Sequence, residues 1–248
     1  KIKAHKEVIL SAGSLMSPII LQRSGIGASE DIKRHGIELI HELPGVGKNL
    51  QDHIDFNFCF KTYDKNTLGF SPGGFLKILG EMAKWLTHGN SMISSTLSEA
   101  GGFLKTDQSL DRPDIQHHFV IGLIDDHLRK LHYGYGYSCH VCLLRPYSRG
   151  TVSLASAKYN DAPLINPNFL NDNRDVDTLI KGAKMTQNIL NTPPLKKYQK
   201  REIYGVHSNL TDKEWEQHIR NRADTIYHPV GTCKMGKDPL AVVDGSLK

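Results

Sequence analysis

The stretch VILSAGSLMSPIILQRSGIG, from Val8 to Gly27, contains the signals of a strand, a turn and a helix in succession. Val8–Leu10 is a compact apolar run, which is typical of a strand buried on both faces of a parallel sheet. Ser17 and Pro18 then predict a helix start, with serine at the N-cap and proline in the first turn. A helix that begins after such a turn points its backbone N–H groups at one place, where an anion or cofactor can bind. A plain structural βα unit explains these features equally well.

Beyond residue 55 the chain changes to the pattern of an antiparallel sheet with helices. Phe56, Phe58 and Phe60 alternate with polar or small residues, which indicates a half-exposed strand. Thr211 and Glu214 have the spacing of a capping box at a helix start. The remaining predicted elements are helices over residues 74–88 and 172–190 and strands over residues 115–121 and 137–144. An α/β segment is therefore expected to precede an antiparallel α+β body.

The composition is typical of a globular protein and argues against several other classes. The 248 residues include 31 Lys and Arg against 26 Asp and Glu, a formal charge of +5. No apolar run approaches the ~20 residues that a membrane span needs. The densest basic stretch, residues 196–201, is too short for a nucleic-acid-binding stripe and is interpreted as solvated surface. Four cysteines are too few for a disulfide-stapled scaffold and favour a reducing compartment.

Two motifs that suggest catalysis are rejected on physical grounds. Residues 69–73 match the G-x-S-x-G nucleophile elbow, which uses the backbone N–H of the residue after the serine. That residue is Pro72, which has no N–H. Cys139 and Cys142 match C-x-x-C, but they lie in a predicted strand, where residues three apart point to opposite faces. Buried packing is the favoured interpretation of both thiols.

Several longer motifs follow one another in an order that resembles one enzyme family. They are GSLMSPIILQRSGIG at residues 13–27, LPGVGKNLQDH at 43–53, EAGGF at 99–103, RPYSRG at 145–150 and YHPVGTCKMG at 227–236. This set, which covers nearly the whole chain, resembles the glucose–methanol–choline (GMC) oxidoreductases. These are FAD-dependent alcohol oxidases and dehydrogenases. Within this family, the motifs are most similar to those of the bacterial choline and aliphatic-alcohol dehydrogenases.

The resemblance implies a fold that combines α/β and α+β parts. Residues 1–55 would belong to an incomplete, Rossmann-like FAD-binding domain. Residues 56–222 would form the substrate-binding domain, an antiparallel sheet with helices, and residues 223–248 would return to the FAD domain with the active-site histidine. The family's G-x-G-x-x-G fingerprint would lie upstream of Lys1, and its second active-site His or Asn beyond Lys248. The chain is therefore expected to be an internal fragment, inactive on its own.

The resemblance also implies roles for five residues. His228, in the Tyr-His-Pro motif, matches the catalytic base that accepts the hydroxyl proton of the substrate. Ala12 and Gly13 match small residues where the chain approaches the dinucleotide, although tight turn geometry explains them equally well. Asn49 lies in a segment that in the family is near the flavin. Glu99 is a candidate for holding the trimethylammonium group of choline, with a buried structural glutamate, or one that accepts backbone N–H bonds, as the alternative.

The expected activity is FAD-dependent oxidation of a primary alcohol, choline or an aliphatic alcohol, to the aldehyde. An oxidase that passes electrons to oxygen shares every motif, and a catalytically inactive structural or binding module remains the non-enzyme alternative. The expected partners are the alcohol and an electron acceptor such as a quinone or dye, with no nucleic acid and no metal. A homodimer and peripheral attachment to a membrane are open alternatives. The expected location is the cytoplasm or the periphery of the inner membrane.

Overall fold

The computed structural model describes residues 3–248, which divide into two compact units. Unit 1 contains residues 3–52, Pro146–Asp172 and Tyr227–Lys248, and unit 2 contains His53–Arg145 and Asn173–Ile226. Residues 146–172 fell within the predicted substrate-binding range but group here with unit 1. Each unit is therefore assembled from separate stretches of the chain.

The secondary structure alternates short strands and helices along the chain. The helices are α1 (Gly13–Arg23), α2 (Ser29–Arg34), α3 (Pro72–His88), α4 (Asn173–Leu190), α5 (Pro193–Lys196) and α6 (Asp212–Arg222). The strands are β1 (Ile26–Gly27), β2 (His41–Glu42), β3 (Ile54–Lys61), β4 (Gly69–Phe70), β5 (Ser98–Leu104), β6 (Ile115–Val120), β7 (Gly134–Leu143), β8 (Thr151–Ser153), β9 (Leu164–Asn166), β10 (Arg201–Glu202) and β11 (Asp224–Thr225). Short 3-10 turns cover Met92–Ser94 and Asp126–Leu128.

Unit 1 is built around helix α1 and two strand pairs. Strands β1 and β2 are parallel, and β8 and β9 are antiparallel. Buried side chains of α1 and β8, including Ile19 and Val152, pack in one apolar cluster. Gln22 of α1 is also buried: its amide donates to the carbonyl of Val152 at 3.1 Å and accepts from the N–H of Leu154 at 3.1 Å. The side chain of Gln22 therefore joins α1 by hydrogen bonds to β8 and to the residue that follows this strand.

The predicted buried strand at Val8–Leu10 is wrong. These residues form no strand, and the side chains of Val8 and Ile9 are 84% and 79% exposed. A buried parallel strand needs a hydrogen-bonded neighbour, and no strand within residues 3–248 pairs with this run. A run of apolar residues does not by itself specify a strand that would pair with it.

Helix α1 begins five residues earlier than predicted. Its N-cap is Ala12, and Ser17, the predicted cap, lies inside the helix. The hydroxyl of Ser17 accepts the backbone N–H of Ala12 at 3.0 Å. Pro18 is therefore an internal helix residue, whose missing N–H leaves one helical carbonyl in need of another donor.

Unit 2 is a seven-stranded sheet whose main path is β10-β3-β7-β6-β5, with β11 beside β3 and β4 beside β7. Its strand pairs are antiparallel, as predicted. Strand β3 is not half-exposed, however. Phe56 and Phe58 are buried against Trp215, with ring centroids 6.3 and 6.0 Å apart. On the other face, the amide of Asn57 donates to the carbonyl of Ile124 at 3.0 Å, because residues 121–124 cover this part of the sheet.

Several local predictions are confirmed. Thr211 and Glu214 form the capping box of α6. The hydroxyl of Ser71 accepts the N–H of Gly74 at 3.0 Å as the N-cap of α3, a structural role and not that of a nucleophile. Cys139 and Cys142 are buried free thiols on β7. None of the helices described within residues 3–248 combines the length and the hydropathy needed to cross a bilayer.

Candidate active site

In unit 1, residues 47–52 run beside residues 228–232. The N–H of Gln51 donates to the carbonyl of Val230 at 2.9 Å, and the N–H of Val230 donates back at 2.8 Å. The N–H of Gly47 donates to the carbonyl of Thr232 at 2.9 Å. The two sequence motifs that contain Asn49 and His228 are thus tied together by backbone hydrogen bonds.

Asn49 and Gly231 form the tightest point of this pairing. The amide of Asn49 donates to the carbonyl of Gly231 at 3.0 Å. Gly231 has a φ of +95°, and a Cβ there would lie 2.5 Å from the carbonyl oxygen of Asn49. Only glycine fits, because the backbone angle and the close approach both exclude a side chain. Asn49 itself has a φ of +63°, which asparagine tolerates better than most residues.

Helix α1 is joined to the same segment through Ser14. The hydroxyl of Ser14 donates to the carbonyl of Pro229 at 2.7 Å, and the hydroxyl of Thr232 donates to the carbonyl of Ser14 at 2.5 Å. In a regular helix that carbonyl would accept the N–H four residues later, which is the position of Pro18. Thr232 is buried and supplies the donor that Pro18 lacks.

His228 is held by its backbone while its side chain is exposed. Its N–H donates to the carboxylate of the buried Asp52 at 2.8 Å. On one side Tyr227 has a φ of +63°, and on the other the carbonyl of Pro229 is bonded to Ser14. The main chain is therefore held by hydrogen bonds at His228 itself and at the residue that follows it.

The N-terminus of α1 is open. Ala12, its N-cap, makes no side-chain capping bond, and both Ala12 and Gly13 are exposed. Gly13 has a φ of +78°, and a Cβ added there would meet no atom within 4 Å. An 11-residue helix with an uncapped, unobstructed N-terminus presents backbone N–H groups and a partial positive charge to an incoming group. This end of unit 1 suits a phosphate or another electron-rich group.

The cysteine of this motif does not have the lowered pKa of a reactive thiol. Burial raises the pKa of the Cys233 thiol, which keeps it protonated. Across the described residues 3–248, no cluster of three or more His, Cys, Asp or Glu side chains is arranged to hold a metal ion.

Glu99 belongs to unit 2 and lies at the edge of its sheet. It is exposed on β5, the last strand of the main path, and accepts a hydrogen bond from the Ser95 hydroxyl. The alternative of a buried structural glutamate is therefore wrong, because an edge strand leaves this side chain in solvent.

The structure thus brings two of the four predicted site residues in unit 1, His228 and Asn49, into one hydrogen-bonded arrangement. The other two, Ala12 and Gly13, are joined to it through the neighbouring Ser14. Asp52, Ser14 and Thr232 support this arrangement, and none of them was among the predicted site residues. One signal was available, because a proline inside a helix demands a substitute donor for a carbonyl. The partner of that carbonyl, 218 positions away, could not be inferred from the sequence.

Comparison with protein-family models identifies the family of the chain. Two models described as GMC oxidoreductase match residues 1–55 and residues 146–248. The chain belongs to the GMC oxidoreductase family. GMC oxidoreductases are flavoproteins that use FAD, and the predicted family and fold are confirmed.

Similar proteins include named GMC dehydrogenases and oxidases. The chain is 44% identical over 246 residues to an alcohol dehydrogenase [acceptor] of Pseudomonas putida, covering 98% of this chain and 44% of that protein. It is 37% identical over 247 residues to an oxygen-dependent choline dehydrogenase of Cronobacter sakazakii, again covering 98% and 44%. The chain therefore spans less than half the length of these curated relatives.

The solved structures agree on the fold. A formate oxidase of Aspergillus oryzae, studied for its FAD modification, superposes with a TM-score of 0.87 at 28% identity, covering 99% of this chain and 48% of that one. A pyridoxine 4-oxidase superposes with a TM-score of 0.78 at 26% identity, covering 96% and 42%. The open N-terminus of α1, with its small residues Ala12 and Gly13, fits the approach of an FAD in such a GMC protein.

Proposed function

We propose that the enzyme carrying this chain oxidises a primary alcohol, choline or an aliphatic alcohol, to the aldehyde, with His228 as the general base. The observation that carries the proposal is the fixation of His228. Its N–H is bonded to Asp52 and the following carbonyl to Ser14, while the imidazole stays exposed. A rigid backbone under an accessible imidazole is what a positioned proton acceptor requires.

The proposed role of each group follows from its chemistry. FAD, when bound, supplies the acceptor for the hydride that leaves the alcohol carbon. An alcohol does not lose its hydroxyl proton unaided near neutral pH, whereas a neutral imidazole can accept that proton. Ala12 and Gly13 would let the dinucleotide approach the start of α1, and Asn49 would hold the His228 segment beside it through Gly231.

The substrate proposal is supported by the names of the relatives. One relative is an alcohol dehydrogenase and another a choline dehydrogenase, and both cover 98% of this chain. If choline is the substrate, the exposed Glu99 is a candidate partner for its cationic group. Glu99→Gln should then raise the dissociation constant for choline but leave that for an uncharged primary alcohol unchanged. Equal choline affinity in the variant and the parent would remove Glu99 from the proposal.

The proposed base is tested by anaerobic flavin reduction in the FAD-loaded enzyme that carries this chain. His228→Ala should slow reduction by the alcohol about 10²–10⁴-fold, the usual contribution of a general base, while FAD stays bound. His41→Ala, which removes an exposed histidine of β2, is the matched control and should reduce at the parental rate. Near-normal reduction in His228→Ala would overturn the assignment.

Two further measurements separate the alternative functions. Reoxidation by oxygen compared with a quinone or dye acceptor distinguishes an oxidase from a dehydrogenase. We propose a dehydrogenase because the relative that is 44% identical is an alcohol dehydrogenase [acceptor], although the choline dehydrogenase at 37% identity is named as oxygen-dependent. Flavin absorbance of the purified 248-residue chain tests whether this chain alone retains FAD. A colourless chain would favour a structural or binding module for this part, without changing the proposal for the whole enzyme.

A further inference from the structure

Unit 2 contains a polar cavity of about 510 Å³ where the end of α4 meets β10 and the segments that flank this strand. Three of the residues that line it are at most 5% exposed and form its floor: Phe60, Gln187 and Val206. Exposed residues form its rim, among them Lys196, Arg201 and His207. The volume is within the range of about 300–1,000 Å³ that is usual for ligand pockets. The cavity is therefore large enough for a small organic molecule.

The side-chain amide of Gln187 is buried without a hydrogen-bonding partner in the protein. Gln187 is 5% exposed, and no group within the described residues 3–248 bonds its amide. Its main-chain carbonyl is engaged separately, because it accepts the N–H of Asn191 at 2.9 Å. A buried amide that makes no hydrogen bond costs free energy, so such groups are normally satisfied by protein, water or a ligand. Since Gln187 lines the cavity, a molecule inside the cavity can supply the missing partner.

The basic stretch at residues 196–201, too short to bind a nucleic acid, contributes four of the residues that line the cavity. Lys196 and Arg201 are exposed, and neither forms an ion pair within the part of the chain that the structure describes. Lys200 also lines the cavity, but its amine lies 4.4 Å from the centre of the Tyr63 ring. Lys196 and Arg201 are therefore the cations that remain available to a ligand at this rim.

Glu202 is the one acidic residue among those that line the cavity. Its Oε2 accepts the backbone N–H groups of Tyr204 at 2.7 Å and Val206 at 2.8 Å, and its Oε1 is closed off from solvent. Burial raises the pKa of this carboxyl, against the lowering effect of the N–H bonds. The carboxylate of Glu202 is thus directed into the turn of residues 202–206, so it does not oppose an anion in the cavity.

We propose that this cavity binds a small organic anion that carries phosphate or carboxylate groups. The anionic groups meet Lys196 and Arg201, and a polar group of the ligand bonds the amide of Gln187. A guanidinium matches two oxygens of a phosphate or carboxylate through parallel N–H donors, and a lysine adds a point charge. Phe60 and Val206 offer an apolar surface to the body of the ligand. The site lies within unit 2, and the proposal is independent of the chemistry assigned to unit 1.

Calorimetric titration of the full-length, FAD-loaded enzyme that carries this chain tests the proposal directly. The probes are fructose 1,6-bisphosphate as an organic phosphate, citrate as an organic carboxylate, and fructose as the uncharged control. At least one of the two anions should bind at millimolar concentration or below, and fructose should not. The anion that binds identifies the group that the site recognises. Binding should weaken at high salt, because the rim cations are exposed and therefore screened.

Gln187→Met separates a ligand-binding amide from a structural one. The variant should lower the affinity for the anion at least about tenfold, because a hydrogen bond within a charged complex is lost. The free energy of unfolding without ligand should not fall, because the deleted amide has no partner in the protein. Gln217→Met, at an exposed glutamine of α6 that bonds Asn221, is the matched control and should leave the affinity unchanged.

Charge reversals test the rim. Lys196→Glu and Arg201→Glu should each lower the affinity at least about fivefold, whereas Lys237→Glu, at an exposed lysine of unit 1, should not. The proposal is overturned if the full-length enzyme binds neither anion, or if both rim variants bind as the parent does. It is also overturned if Gln187→Met lowers the free energy of unfolding and leaves the affinity intact, because the amide would then be structural. Binding that Gln187→Met and the rim variants weaken supports the site.

Discussion

The backbone N–H of His228 donates to the carboxylate of Asp52 at 2.8 Å, across a separation of 176 residues. Asp52 is the last residue of its stretch in unit 1, and its side chain is buried. A carboxylate that accepts a backbone N–H forms a charge-assisted hydrogen bond, which is stronger than a neutral one. This bond is the contact through which the structure orients the proposed base.

Asp52 is expected to act as a positioning residue for His228. Asp52→Ala should lower kcat of the FAD-loaded enzyme at least about tenfold with a smaller change in KM, because a displaced base loses alignment in the transition state. Asp52→Asn, which keeps an acceptor oxygen, should restore most of kcat. Asp244→Ala, at an exposed aspartate of unit 1, serves as control. Equal loss of kcat in the Ala and Asn variants would argue against positioning by this hydrogen bond.

Thr232 and Pro18 should be energetically coupled. Thr232→Val removes the hydroxyl that donates to the Ser14 carbonyl and should lower the free energy of unfolding by about 1–2 kcal/mol. In a Pro18→Ala background the same substitution should cost less, because the main-chain N–H gained at position 18 can donate to that carbonyl. A double-mutant cycle in urea measures the difference. Additive effects would show that Thr232 does not replace the missing helical donor.

Gly231 is expected to tolerate no side chain. Gly231→Ala forces a Cβ to within 2.5 Å of the Asn49 carbonyl oxygen at a φ of +95°, so it should destabilise the protein by more than about 1 kcal/mol. It should also slow flavin reduction, because the added Cβ would push residues 47–52 away from residues 228–232, the segment that begins with His228. Gly245→Ala, where a Cβ meets no atom within 4 Å, should leave both properties near the parental values. Thermal unfolding and anaerobic reduction check the pair.

His117 should make unit 2 less stable in acid. Burial, and to a lesser extent the charge of His118, lowers the pKa of His117, whose ring is 2.8 Å from the Thr186 hydroxyl. Below the ordinary histidine pKa of about 6.5 the unfolded chain takes up a proton that the folded state resists, so the free energy of unfolding falls as the pH drops. Above a pH of about 6.5 His117 is unprotonated in the unfolded chain as well, so no free energy of unfolding is lost there.

The measurement is the pH dependence of urea unfolding between about pH 7 and pH 5. His117→Gln should flatten the decline, because a neutral side chain takes up no proton in either state. His41→Gln, at an exposed position of unit 1, should leave the decline unchanged. An undiminished slope in His117→Gln would assign the acid sensitivity to other groups.

Local signals in the sequence predicted the elements whose stability is local. The capping box at Thr211 and Glu214 depends on residues three positions apart, and it is confirmed. The strand predicted at Val8–Leu10 depended on neighbours that a run of apolar letters does not specify, and it was wrong. Phe56 and Phe58 alternate as expected, but the alternation could not show that both faces of β3 are covered.

The candidate site shows the same division between local and distant information. The motifs led to His228, Asn49 and the start of α1, because a family resemblance assigns roles to residues without knowing their contacts. Asp52 and Thr232, which hold that arrangement together, are recognisable only from hydrogen bonds that span 176 and 218 positions. The exposure of the large apolar side chains of α3 was equally hidden, since the periodicity predicts an amphipathic helix but not which way it turns.

The chain passes between the two units four times, at residues 52–53, 145–146, 172–173 and 226–227. Neither unit corresponds to one uninterrupted segment, so unit 2 cannot finish folding on the ribosome until residue 226 has emerged, and unit 1 not until the residues after 226 have emerged. Contacts between such distant positions raise the contact order and slow folding. Synthesis of this chain therefore leaves a long interval in which the apolar surface of each half-built unit is open to chaperones and proteases.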